Sequence, residues 1–118
     1  MKDTVVVFAR VPRLGTVKRR LARDLGDRMA LRFHTATLRA LLPSLRRDRS
    51  FRTVLAITPD RGVVRLPWAV PCVPQGRGDL GARMDRVCRR FPHGKVLIVG
   101  CDIPDACAAD ARTAFRML

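Results

Sequence analysis

Three short apolar runs set the terms on which this chain can fold: TVVVF at 4–8, TVLAIT at 53–58 and KVLIV at 95–99. Each has the length of a strand, and none alternates polar with apolar residues. Continuous runs of this kind suit strands covered on both faces, the pattern of a parallel sheet between helices. Helical periodicity follows each run. After the first, Leu21, Leu25, Met29 and Phe33 recur every four residues, and Leu38, Leu41 and Leu45 continue the stripe. This predicts one amphipathic helix, or two with a break at Gly26-Asp27. Pro43 is expected to kink or end it. Leu80, Met84, Val87 and Phe91 predict a second helix over 79–90, with Asp79 as a candidate N-cap. Residues 106–118 predict a third, capped by Asp105. Residues 61–77 read as irregular, with Trp68 as a packing plug beside prolines. The order strand, helix, strand, helix, strand, helix gives the expected fold: a single α/β domain over 1–118, a three-layer αβα sandwich with a mainly parallel, Rossmann-like sheet.

Ligands of such sheets collect beyond the carboxyl ends of the strands, so the segments after the runs are where chemistry is expected. The first, ARVPRLGTVKRR, starts at Ala9, turns through Pro12 and Gly15, and carries Arg10, Lys18 and Arg20. A helix start aims free N–H groups at one point and attracts phosphate. Helix starts prefer acids, so the cations Lys18, Arg19 and Arg20 make sense there with an anionic partner. The segment is not a P-loop, and it has one glycine where a dinucleotide fingerprint needs three. The second, QGRGDLGARM at 75–84, enters its helix through Gly76, Gly78 and Gly81. Glycines let backbone approach a flat ligand, and the amide of Gln75 can donate and accept in the plane of a nucleobase. The third, GCDIPD at 100–105, presents Asp102 from a strand end. Its carboxylate suits Mg²⁺ or Mn²⁺, which favour oxygen ligands and nucleotide phosphates. Asp102 and Asp79 also fit turn or cap roles.

Charge sharpens this reading. The net charge is +14, carried by twenty-one Arg and three Lys against ten Asp and no Glu. A basic field draws in nucleotides, nucleic acid or anionic lipid. So lopsided a choice within each charge class also looks like coding bias, which makes part of the charge incidental surface. Aromatic residues make up 5%, Tyr is absent and no nucleic-acid motif occurs, which argues against a nucleic-acid partner. Cys72, Cys88, Cys101 and Cys107 form no CxxC pair and read as reduced, mostly buried thiols of a cytoplasmic protein. No apolar stretch reaches the roughly 18 residues of a membrane span. Two histidines argue against a histidine-rich zinc site, and two serines outside GxSxG against a serine hydrolase.

The segments FARVPRLGTVKRRLARDLG, QGRGDLGARM and VLIVGCDIPD, in this order, resemble a bacterial family of glycosyltransferases with the nucleotide-diphospho-sugar transferase (GT-A) fold, some of them labelled arsenosugar-biosynthesis glycosyltransferases. The family pattern runs roughly FAKxPxxGxVKTRLA, QxGGDLGxRM and LIGTDCP. The resemblance implies a nucleotide-sugar-dependent glycosyltransferase or a nucleotidyltransferase whose partner is a nucleoside diphosphate sugar or nucleotide. Ala9, Arg10, Gly15, Lys18 and Arg20 would bind the diphosphate. Gln75 with the backbone of Gly78, Asp79, Leu80 and Gly81 would hold the base. Lys18 and Asp102 would be the catalytic residues, with Asp102 anchoring Mg²⁺ or Mn²⁺. Arg10 stands where Lys is usual, Arg19 where Thr is usual, and Cys101 and Ile103 where Thr and Cys are common. The family continues with a strand and a GPxxDGGYYLIG segment beyond the part matched here. That implies an N-terminal fragment or a degenerate copy, a catalytically inactive nucleotide-binding chain in the alternative reading, and in either case a sheet edge open to self-association. A basic nucleic-acid-binding protein is the remaining alternative.

Overall fold

The apolar runs become strands, and a fourth strand joins them. The computed structural model describes residues 2–10, 23, 26–58, 70–100 and 108–118. Within them lie β1 (Asp3–Arg10), α1 (Asp27–Arg46), β2 (Phe51–Thr58), β3 (Cys72–Pro74), α2 (Leu80–Arg89), β4 (Val96–Gly100) and α3 (Ala108–Met117). The sheet runs in the order β3-β2-β1-β4, and every pairing is parallel. β1 pairs with β2 from Asp3↔Phe51 to Arg10↔Thr58, and with β4 from Thr4↔Val96 to Phe8↔Gly100.

Central position explains why β1 is apolar on both faces. Val5, Val6 and Val7 are all fully buried. On one face Val5, Val7, Leu55 and Ile57 pack with Leu38, Leu41, Leu42 and Leu45 of α1 and with Ala111 and Phe115 of α3. On the other, Val6 and Ala56 pack with Val87 of α2. Each such aliphatic side chain contributes about 1.5–3 kcal/mol by leaving water. The result is the expected three-layer αβα arrangement. The faces follow from crossover handedness. The chain moves from β1 to β2 across one face by way of α1. It then reverses direction from β3 back to β4, and α2 takes the opposite face. The reversal makes the junction of β1 and β4 the topological switch point, where open α/β sheets bind ligands.

Three local expectations are corrected. Met29 and Phe33 are each 48% exposed, whereas Ala30 and His34 are buried. Gly26, at φ 88°, breaks the helical phase and precedes α1. The buried stripe is then set by Leu38 and projects back by fours to His34 and Ala30. Pro43 does not end α1, which continues to Arg46. It sits in the last turn on the exposed side, where the carbonyl robbed of its N–H partner can be hydrated, and its own carbonyl accepts from Arg47 N at 3.1 Å. Finally, the 61–77 stretch contains β3, hidden in the sequence by Pro71 and Pro74. Proline is tolerated at the ends of an edge strand, and β3 is one. Trp68 lies outside the described residues.

Side chains close the connections. Asp48 accepts from Ser50 N at 2.8 Å and Ser50 Oγ at 2.5 Å and pairs with Arg112 of α3. The Ser50 hydrogen bonds, with Arg112 beside them, hold its carboxyl below the usual carboxylate range. Cys72 and Cys88 are free and half-buried, and burial pushes the Cys72 thiol up. Among the described residues no helix is long and apolar enough to cross a membrane.

α2 starts as the sequence suggests. Asp79 Oδ1 accepts from Ala82 N at 2.8 Å, satisfying one of the orphan donors of the first turn. Asp79→Ala is therefore expected to lower stability by about 1 kcal/mol, read as a shift of the urea midpoint at constant slope.

Candidate functional site

The carboxyl end of the sheet is organised around one buried residue. Gln75 directly follows β3 and is 3% exposed. Its backbone N–H donates to Ile57 O at 3.0 Å, which continues the β2–β3 ladder for one more bond. Its side chain turns across the strand ends. Nε2 donates to Ala56 O of β2 at 2.9 Å and to Ala9 O of β1 at 3.3 Å. Oε1 accepts from Arg83 Nη1 at 2.9 Å, and the backbone oxygen of Gln75 accepts from Arg86 Nη1 at 2.8 Å. Carbonyls can only accept and a guanidinium can only donate, so the amide has one acceptable orientation. One side chain thus ties two strands to the helix on the far face.

From the sequence, the Gln75 amide is expected to face a nucleobase. In the structure both of its N–H donors and one lone pair of its oxygen are spent inside the protein. What Gln75 does directly is fix the loop that follows it. Gly76 adopts φ 81°, and a Cβ there would lie 2.2 Å from Arg86 Nη1. Only glycine lets the Arg86 side chain cross the loop at that point. Gly78, Asp79, Leu80 and Gly81 then lead into α2. A Cβ on Gly81 would meet only Asp79 Oδ1, at an ordinary 3.6 Å, so no described neighbour requires glycine there. Leu80 is 52% exposed and gives this end of the helix an apolar surface.

At the end of β1, Ala9 is buried and its carbonyl belongs to the Gln75 network. Arg10 is exposed, and its carbonyl accepts from His34 Nε2 at 2.9 Å. His34 is 3% exposed and joins α1 to the last residue of β1. The acceptor fixes the proton on Nε2. Gly15, Lys18, Arg20 and Asp102 lie outside the described residues. Their segments leave the sheet at Arg10 and after Gly100, at the ends of two adjacent strands. The structure thus gathers Ala9, Arg10, Gln75 and the Gly78–Gly81 turn at one end of the sheet.

Three residues were not singled out from the sequence: His34, Arg83 and Arg86. The four-residue step back from Leu38 marks His34. Arg83 lies inside QGRGDLGARM, but nothing in a one-dimensional pattern shows that it meets Gln75. Much of the basic charge lies elsewhere. Two open depressions, one lined by Arg32 and Arg39, the other by Arg46, Arg47 and Arg49, lie along α1 and at its C-terminal end.

Residues 37–118 match the sequence profile of a family described as an uncharacterized protein conserved in bacteria (DUF2064). The chain belongs to the DUF2064 family. The matched region contains both QGRGDLGARM and VLIVGCDIPD. The DUF2064 chain is also similar to the crystal structure of a protein from Desulfovibrio desulfuricans G20 assigned by inference as a nucleotide-diphospho-sugar transferase. The TM-score is 0.84 at 24% identity, over 98% of this chain and 54% of that one. This likeness shows a shared fold, and the DUF2064 chain spans about half the length of that structure. No curated protein matches the chain.

Proposed function

We infer that this chain carries the nucleotide-binding part of a transferase that acts on nucleoside diphosphate sugars, by glycosyl or nucleotidyl transfer. The observation that carries the reading is the common origin of the three motif segments. The β3-β2-β1-β4 order starts two of them at the β1/β4 switch point, and Gln75 ties the third to the same end of the sheet. The similarity of fold to a nucleotide-diphospho-sugar transferase supports it.

In this reading Arg10, Lys18 and Arg20, with the backbone around Gly15, hold the diphosphate through charge-assisted hydrogen bonds. The backbone from Gly78 to Gly81 lies against the base, with Leu80 as an apolar flank and Gln75 as the post that keeps the loop in place. Asp102 is the residue offered for Mg²⁺ or Mn²⁺, since a carboxylate is the donor such ions prefer. No group of three or more potential ligands gathers among the described residues, so the assignment rests on Asp102. A bound divalent ion would neutralise charge on the leaving nucleotide. Lys18 would add a second positive charge on the same phosphates.

Calorimetric titration with nucleoside diphosphate sugars of each common base, with and without Mn²⁺, tests this reading. At least one is expected to bind, more tightly with the metal. Asp102→Asn keeps the side-chain shape and is expected to remove the metal-dependent gain while the circular dichroism spectrum stays the same. Unchanged Mn²⁺ dependence would make Asp102 a turn residue. Absence of binding to any sugar nucleotide by the folded chain would remove the reading itself.

A further inference from the structure

Arg83 and Arg86 stand three residues apart on α2, and each is held by an oxygen of the same buried residue. Arg83 Nη1 donates to Gln75 Oε1 at 2.9 Å and Nε to Asp79 O at 3.4 Å. Arg86 Nη1 donates to Gln75 O at 2.8 Å and lies across Gly76, where a Cβ would be 2.7 Å from Cζ. All of these anchors are neutral. The carboxylates Asp85 and Asp48 pair instead with Arg89 and Arg112, and among the described residues no carboxylate pairs with Arg83 or Arg86. A carboxylate anchor would cancel the charge, whereas amide and carbonyl oxygens orient the guanidinium and leave its charge intact. Residues three apart on a helix are neighbours, and like charges so placed repel. Each guanidinium also has five donors, most of them without a partner among the described residues. Two oriented cations with open donor edges, fixed at the ligand end of the sheet, form half of an anion site.

We propose that Arg83 and Arg86 form a clamp for a phosphoryl group, separate from the basic segment after β1. The planar forks of two arginines match the oxygens of phosphate, and Gln75 prepays their ordering by holding both. The ligand assignment rests on the nucleotide reading above: the phosphoryl group is that of the bound nucleotide, with a phosphorylated acceptor as the other source.

The test titrates inorganic pyrophosphate, the common nucleoside diphosphates and a hexose phosphate into the chain and into Arg83→Gln and Arg86→Gln, at several salt concentrations. Each variant is expected to bind pyrophosphate about tenfold more weakly, with a shallower salt dependence. Arg116→Gln removes the same charge from α3 and is expected to bind like the parent. Loss of affinity for nucleoside diphosphates places the clamp on the nucleotide, and loss confined to hexose phosphate places it on the acceptor. Arg86 is anchored to a backbone carbonyl, so Arg86→Gln decides the matter if Arg83→Gln loosens the Gln75 network. Equal affinity and equal salt slope in both variants, or no binding of any of these anions by the parent at low salt, would overturn the clamp. Arginine-dependent pyrophosphate binding with no preference for any nucleotide would uphold the clamp and refute the nucleotide reading. Nucleotide binding by the parent, with affinity for nucleotides, pyrophosphate and hexose phosphate all unchanged in both variants, would do the reverse.

Discussion

Gln75→Leu is expected to lower folding stability by about 3 kcal/mol, the sum of two ordinary hydrogen bonds and one charge-assisted bond lost together. Leucine fills nearly the same volume, so packing changes little. It cannot donate to Ala9 O and Ala56 O or accept from Arg83. The loss is large beside the total of about 5–15 kcal/mol typical of a domain. Urea unfolding should show a lower midpoint at constant slope. The loop from Gly76 to Asp79 should loosen more than the sheet, visible as faster amide exchange there than in Val5–Val7. A loss below 1 kcal/mol with unchanged loop protection would mean that Gln75 is packing rather than a tie.

Lys18→Ala is expected to weaken nucleoside diphosphate binding by about ten- to a hundred-fold, the loss of one charge-assisted phosphate contact of about 1.5–3 kcal/mol. A contact made only with the ligand is absent from the free protein, so the urea midpoint should move little. Calorimetry on the two proteins at one salt concentration measures the affinities. Equal affinities would take Lys18 out of the phosphate site and leave Arg10 and Arg20 as its cations.

Strands and caps differ from the site in how far local sequence determines them. Strand runs could be read because a central parallel strand is apolar on both faces, and Val5, Val6 and Val7 are buried for that reason. The Asp79 cap could be read because capping is local chemistry between residues three apart. β3 could not, because prolines that forbid a central strand are harmless at an edge, and edge position is a tertiary fact. Met29 and Phe33 fit a four-residue period as well as Ala30 and His34 do, and only the break at Gly26 decides between the two phases. The site shows the same division. QGRGDLGARM announces a loop entering a helix. That Gln75 reaches back across 66 residues to Ala9 depends on β1, β2 and β3 lying in one order, which no local pattern encodes. An amide that looked free for a base is committed to carbonyls, and the open donors belong to arginines whose placement the motif alone leaves undefined.

Backbone amide chemical shifts during titration with a nucleoside diphosphate locate the bound ligand, which in the proposed function lies at the carboxyl end of the sheet. The perturbed amides are expected to cluster at Arg10, at Gly76–Arg83 and at Gly100, with α3 and the 46–50 turn unmoved. Perturbations centred instead on Arg39 and on Arg46–Arg49, with the Gln75 loop silent, would contradict that location and place the anion site on the outer face of α1.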